Sequence, residues 1–111
     1  MRKLIVYERH FSSFFEALPE SDQRKIEWVL RVVTDSDRVP ANYFRYLSRP
    51  GIYEIRVIHR NIQYRICCFL DTDRRLVLLN AFKKRSRKTP RKEIRKAIRL
   101  YKKYYYEKER S

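Results

Sequence analysis

The chain has 111 residues, of which 43% are hydrophobic, so it is long enough for one hydrophobic core and too short for two. An aromatic content of 14% and a single glycine argue against a disordered or low-complexity chain. The formal net charge is +15, and residues 83–111 alone carry 14 Lys and Arg against three Glu. This excess indicates an anionic partner, although a solvated basic helix face is the alternative. We predict a single domain over residues 1–111.

The two cysteines and the N-terminus indicate the cellular compartment in which the protein is expected. Cys67 and Cys68 are adjacent, and neighbouring strand side chains point to opposite faces, so a disulfide between them is not expected. No spacing of four metal ligands is present, so we expect neither a metal nor another cofactor. The apolar run at residues 4–7 is too short for a signal peptide or a membrane span. These features predict a cytoplasmic protein with no membrane contact.

The first third of the chain predicts a strand and two helices. Residues 3–8, KLIVYE, are short and β-branched, as in a strand. Residues 11–18 place apolar side chains at i, i+3, i+4 and i+7, which predicts one apolar helical face. Pro19 ends this helix or opens the next, which the same spacing predicts over residues 20–34. The two helices predict a helical hairpin.

The middle of the chain predicts a connection followed by three strands. Periodicity fades over residues 35–50, which we interpret as a connection. Residues 52–59 and 62–70 then alternate between two sets of side chains, with a turn at residues 60–61. After a second turn at residues 71–73, residues 75–82 are almost continuously apolar, as in a strand that is covered on both faces.

The C-terminal part predicts one basic helix. Thr89 is suited to cap it and Pro90 to occupy its first position. Tyr101 and Tyr105 have core spacing, whereas Tyr104 and Tyr106 are open to either a core position or base stacking. The predicted fold is therefore α+β: a strand, a helical hairpin, a three-stranded antiparallel meander and a C-terminal helix, with the helices on one face of the sheet.

Two arginines and a carboxylate are predicted to meet on the middle strands. If residues 52–59 and 62–70 pair in register, Arg56 and Arg65 lie side by side on the face away from the helical hairpin, together with Glu54. The following loop adds five cations at the end of the sheet: Lys83, Lys84, Arg85, Arg87 and Lys88. The prediction is a small concave basic surface that contains one carboxylate, and a solvated strand face is the alternative.

Such a surface suits a phosphodiester, because Arg and Lys both bind phosphate. Cleavage of RNA without a metal needs a base for the 2′-hydroxyl, a cation for the phosphorane, and an acid or cation for the leaving 5′-oxygen. The cations serve the last two tasks. Glu54 and His59 are candidates for the base. The alternatives are an ion pair with Arg56 or Arg65 for Glu54, and a surface position at the hairpin end for His59.

Three motifs now identify a resemblance: GIYEIRV at residues 51–57, YRICCF at residues 64–69, and LVLLNAFKKRSRKTPRKEIRKA at residues 76–97. They resemble the RelE/ParE superfamily of bacterial toxins, and more narrowly its HigB-like, phage-derived Gp49-like branch. The resemblance implies a RelE-like fold and the toxin of a type II toxin–antitoxin system. It also implies an endoribonuclease that cuts mRNA on the translating ribosome and a cognate antitoxin, often a helix-turn-helix protein. DNA would be contacted only indirectly, through the antitoxin complex.

The resemblance also implies residue roles. Arg56 matches a phosphate-binding strand cation, and Arg65 matches the arginine that steadies the transition state. Lys84 lies near the position of a cation that stabilises the leaving group or the phosphate. Glu54 departs from the lysine found in RelE-like enzymes, and Asn80 stands where the branch often has histidine. Two alternatives stay open: a ParE-like toxin that inhibits gyrase, and a nucleic-acid-binding module without activity.

Overall fold

The computed structural model describes residues 2–85 and 87–111 of the chain. The strands of this protein form one five-stranded sheet. In chain order the elements are β1 (Lys3–Val6), α1 (His10–Glu16), α2 (Glu20–Asp35), β2 (Phe44–Ser48), β3 (Ile52–His59), β4 (Ile62–Asp71), a 3₁₀ turn (Thr72–Arg74), β5 (Arg75–Lys83) and α3 (Arg91–Arg110). The strand order across the sheet is β1-β5-β4-β3-β2, with β1 parallel to β5 and the other neighbours antiparallel. The mixed α+β class is confirmed.

The predicted order of elements is confirmed, but the prediction of a plain connection over residues 35–50 is wrong. That segment contains β2, which pairs with β3 and adds a fifth strand. Aromatic contacts across the pair hold it: the ring of Phe44 stacks on Tyr53 at 4.7 Å, and Tyr46 meets Tyr53 edge-on at 5.5 Å. Cross-strand aromatic pairs of this kind stabilise a short edge strand whose own periodicity is weak.

The helices lie on both faces of the sheet, so the prediction that they share one face is also wrong. The α1–α2 hairpin packs on the face that presents Ile55, Tyr64 and Ile66. Helix α3 packs on the opposite face, against Cys67 and Phe69. Strands β4 and β5 are apolar on both sides, and each side has to be removed from water. The prediction that β5 is covered on both faces is confirmed.

The adjacent cysteines follow the alternation of β4. Cys67 and Cys68 are both free and buried, one in each core cluster. Burial raises the pKa of Cys67 to about 12, so its thiol is unreactive at neutral pH. The predicted turn at residues 60–61 is confirmed, since Arg60 and Asn61 have φ values of 52° and 64°. Within the described residues, no helix is both long enough and apolar enough to cross a bilayer.

A buried carboxylate fastens the end of α3 to the sheet. Asp71 accepts hydrogen bonds from the hydroxyls of Tyr104 at 2.6 Å and Tyr105 at 2.8 Å and from Nζ of Lys108 at 2.7 Å. Burial alone would raise the pKa of Asp71, but these hydrogen bonds outweigh it and hold that pKa well below its usual range. Tyr101 and Tyr105 pack in the core as predicted, Tyr104 joins them, and Tyr106 is exposed.

Replacing Asp71 with asparagine is expected to lower the free energy of unfolding by about 2 kcal/mol at pH 7. The folded pKa lies below the unfolded one, so the contribution is complete above the unfolded value of about 3.9 and is lost as pH falls through the folded pKa. Urea unfolding at neutral pH and at decreasing acid pH measures this. The gap between wild type and Asp71→Asn should narrow with acidification, and a constant gap would contradict the assignment.

Candidate functional site

The register of β3 and β4 brings the predicted arginines together. Arg56 lies directly opposite Arg65, and Glu54 lies opposite Cys67. Because Cys67 packs under α3, the alternation of the strands puts Glu54, Arg56 and Arg65 on the α3 face, away from the hairpin. That prediction is confirmed. Strand β2 contributes Arg45, which lies opposite Glu54.

Glu54 is the centre of the group. Its side chain is almost completely buried, and Oε1 lies 3.6 Å from Nε of Arg65 and 3.9 Å from Nε of Arg56. Its other oxygen, Oε2, accepts a hydrogen bond of 2.9 Å from Oγ1 of Thr89. The predicted capping role of Thr89 is wrong, because α3 begins at Arg91 without a side-chain cap and the hydroxyl is used on Glu54 instead. The carboxylate thus joins β3, β4 and the approach to α3.

Arg65 is fully buried, so it does not belong to a solvated strand face. Its guanidinium donates to the backbone carbonyl of Tyr64 at 3.1 Å and to Oε1 of Gln63 at 2.9 Å. Burial and the neighbouring Arg56 lower the pKa of Arg65, and Glu54 offsets part of this effect. Arginine stays protonated even so. A buried positive charge therefore lies directly beneath the residues that face solvent.

Arg56 and the loop after β5 line an open cleft above this group. One part of the cleft, of 550 Å³, is lined by Arg56, Gln63, Lys84, Arg85 and Arg87. An adjoining part, of 400 Å³, shares Lys84 and Arg87 and extends past Arg45, Glu54, Lys88 and Thr89 to Arg91. We call the two parts together the basic cleft. Its lining combines many cations with one carboxylate, as predicted from the sequence.

Lys84 of the basic cleft has an unusual environment for a lysine. Its backbone N–H donates to the carbonyl of Gln63 at 2.8 Å, which fixes the chain just beyond β5. Burial and the nearby Arg65 lower the pKa of Lys84, with further contributions from Arg56 and Arg45, and Glu54 opposes the shift. Lys84 therefore releases its proton more readily than an exposed lysine does. A proton donor of this kind beside a phosphate site suits the protonation of a leaving oxygen.

Three other predicted residues lie elsewhere. His59 is on the hairpin face, where its Nε2 is 3.7 Å from Oδ1 of Asp22, so the sheet separates it from Glu54. Lys83 lies opposite Tyr64, which packs with the hairpin, so it too is directed to that face. Asn80 is buried, and its Nδ2 donates to Oε1 of Glu93 at 3.0 Å, which ties β5 to the first turn of α3. Ser86, within the predicted basic loop, lies outside the described residues.

The structure adds three residues that the sequence reasoning missed: Arg45, Gln63 and Thr89. Arg45 was overlooked because β2 was interpreted as a connection, although the apolar and polar side chains of FRYLS do alternate in part. Gln63 precedes Arg65 by two positions and therefore shares its face, a signal that the alternation already contained. The contact of Thr89 with Glu54 spans 35 residues and has no local sequence signal.

A family model matches most of the chain. It describes phage-derived proteins that are Gp49-like, and the match covers residues 13–102. The chain belongs to this family. The Gp49-like family is part of the RelE/ParE-like toxins, so the predicted superfamily is confirmed. The match spans every described residue that lines the basic cleft of this Gp49-like protein. No curated protein matches the chain.

Proposed function

We propose that this Gp49-like protein is the toxin of a type II toxin–antitoxin system and that it cuts mRNA on the translating ribosome. One observation carries the proposal: Arg56, Lys84 and Arg87 converge on the basic cleft above a buried pair of Arg65 and Glu54. A cleft with this lining binds an anion of high charge density, and the perturbed lysine supplies a group for proton transfer. The HigB-like branch and the RelE-like arrangement of the fold are part of the same proposal.

Each side chain has a distinct role in the proposed reaction. The guanidinium of Arg56 stabilises the charge that develops on the phosphorane, since its side chain remains 27% exposed and faces the cleft. Arg85, Arg87 and Lys88 hold the flanking phosphates. Arg65 is a positioning residue that supports this charge from below, because its own hydrogen bonds are made within the protein.

Glu54 is proposed to hold the arginines in place rather than to accept the proton of the 2′-hydroxyl. Both of its oxygens are engaged, one near Arg56 and Arg65 and the other by Thr89. A base must have a lone pair that can reach the substrate proton. The contacts around Glu54 leave it better suited to orienting two guanidinium groups than to that task.

The bond changes need no metal in this scheme. The ribose 2′-oxygen attacks phosphorus, its proton passes to water, and the bond from phosphorus to the 5′-oxygen breaks. Lys84 donates a proton to the departing 5′-oxygen. The products are a 2′,3′-cyclic phosphate and a 5′-hydroxyl, and Lys84 regains its proton from solvent.

We propose that a cognate antitoxin, a helix-turn-helix protein with an acidic segment, blocks the basic cleft until the antitoxin is degraded.

The pH dependence of cleavage tests the role of Lys84. As an acid it must be protonated, so the rate should fall as pH rises through its lowered pKa, which lies below 10.5. Lys84→Arg should keep the positive charge but slow cleavage, because a guanidinium does not give up its proton to the leaving oxygen, and the alkaline limb should disappear. Cleavage rates across neutral and alkaline pH measure the limb. An unchanged limb in the arginine variant would remove Lys84 from proton transfer.

The products of the purified protein test the proposed reaction itself. Ribosomes stalled on an end-labelled mRNA are incubated with the protein, and the ends of the fragments are characterised chemically. The proposal predicts fragments ending in 2′,3′-cyclic phosphate and beginning with 5′-hydroxyl. Fragments beginning with 5′-phosphate would point to attack by water and overturn the proposed chemistry.

A further inference from the structure

The outward side of α3 carries a row of residues that the proposed cleavage chemistry does not use. Arg91, Arg95, Arg99, Lys102 and Tyr106 follow one another at intervals of three or four residues, and all are exposed. Side chains at these intervals lie along one side of a helix. We call these five residues the α3 row. It extends for about 22 Å along the helix axis.

Among the residues that the structure describes, no carboxylate is paired with any of the four cations of the α3 row. Two other lysines of the same helix are paired: Lys103 with Glu8 at 2.6 Å and Lys108 with Asp71 at 2.7 Å. Four neighbouring positive charges without internal partners repel one another, and a polyanion would relieve this repulsion.

The far end of the α3 row offers an aromatic ring. Tyr106 is 60% exposed, and the guanidinium of Arg110 lies 5.4 Å from the centre of its ring. A shallow cavity of 380 Å³ opens beside it, with Lys102 and Tyr105 among its walls. An open ring next to cations is the arrangement on which unpaired bases stack in single-strand-binding proteins.

The near end of the α3 row opens into the basic cleft, because Arg91 lines both. We infer that a single-stranded RNA continues from the basic cleft along the α3 row, with its phosphates on Arg95, Arg99 and Lys102 and a base stacked on Tyr106. This inference rests on the proposed function, since it extends the strand that the basic cleft would hold. An acidic protein segment would also match the cations, but it would leave the open ring of Tyr106 without a role.

The test measures how affinity grows with RNA length. Uncleavable 2′-O-methyl RNA is used as a trinucleotide, which fills only the basic cleft, and as a decanucleotide. The row variant carries Arg95→Gln, Arg99→Gln and Lys102→Gln. The control variant removes the same charge from α2 and the segment that follows it, on the other face of the sheet, through Arg24→Gln, Arg31→Gln and Arg38→Gln, all at exposed positions. Circular dichroism establishes that both variants are folded.

Wild type and control variant should bind the decanucleotide more tightly than the trinucleotide, and the row variant should lose about tenfold of that gain. The negative slope of log affinity against log salt concentration should become shallower by about 2 in the row variant, as expected for three lost phosphate contacts. A separate Tyr106→Ala change should weaken decanucleotide binding by about tenfold at constant slope.

Equal losses of decanucleotide affinity in the row and control variants would overturn the inference, because net charge alone would then explain these losses. Unchanged RNA binding in the row variant, together with lost binding to poly-L-glutamate, would assign the α3 row to an acidic protein and also overturn it. Cleavage is scored separately on unmodified RNA. If wild type cuts no RNA but shows the row-dependent length effect, the proposed cleavage fails while this inference is supported.

Discussion

Replacing Arg56 with glutamine is expected to slow RNA cleavage by a factor of about 100 to 1,000, because one preformed charge at the phosphorane is lost. Arg56 is the arginine of the central pair that faces the basic cleft, whereas Arg65 lies buried beneath it. Glutamine keeps a polar group on the first two methylene groups of the arginine side chain, so the fold should be retained. Single-turnover cleavage of ribosome-bound mRNA measures the change in the chemical step.

Arg31→Gln is the matched control for this variant. Arg31 is exposed on α2, on the other face of the sheet, and its replacement removes the same charge without touching the basic cleft. It should cleave at close to the wild-type rate. If the two variants slow cleavage equally, Arg56 acts only through the overall charge of the protein. If neither does, the basic cleft is not where the phosphodiester is cut.

Replacing Glu54 with glutamine is expected to lower the free energy of unfolding by about 3 kcal/mol, because it leaves buried positive charge without a counterion. Arg65 is fully buried, and within the described residues its Nε has no hydrogen-bond partner, so the carboxylate 3.6 Å away offsets its charge. Glutamine can still accept the hydrogen bond from Thr89, so the change isolates the lost negative charge. Urea unfolding monitored by circular dichroism measures it.

Glu20→Gln is the control for this second change. Glu20 forms an exposed ion pair with Arg24, one turn apart on α2, and its loss should cost less than about 0.5 kcal/mol. If Glu54→Gln is no more destabilising than the control, Glu54 does not anchor the arginines. Cleavage by Glu54→Gln should decrease with its pH profile unchanged in shape, as expected for a positioning residue. If the fall in cleavage rate at acidic pH disappeared in Glu54→Gln, Glu54 would instead be the base.

The alternation of side chains along the middle strands was sufficient to predict the central arginine pair of the site. Arg56 and Arg65 pair across β3 and β4 because register in a hairpin is set by which side chains must be buried. The turn at Arg60 and Asn61 could also be predicted from the local sequence. These are interactions between neighbours in the chain, and the spacing of apolar residues encodes them directly.

The parts that could not be predicted depend on packing between distant segments. Strand β2 exists because Phe44 and Tyr46 meet Tyr53, and Thr89 leaves its capping position because Glu54 lies within reach. The buried guanidinium of Arg65 donates its hydrogen bonds to Gln63 and to the backbone carbonyl of Tyr64. Composition and spacing carry no signal for such contacts, since an arginine on a strand normally indicates solvent.

The integrity of mRNA in cells after brief induction of the protein tests the central claim most directly. Wild type is compared with Arg56→Gln rather than with a variant of the buried Arg65, whose removal would leave Glu54 without the nearer of its two arginines. Primer extension maps the ends. The account predicts cuts inside translated frames in wild type that are absent in the variant. Intact mRNA alongside growth arrest by wild type would contradict it and indicate a target other than RNA.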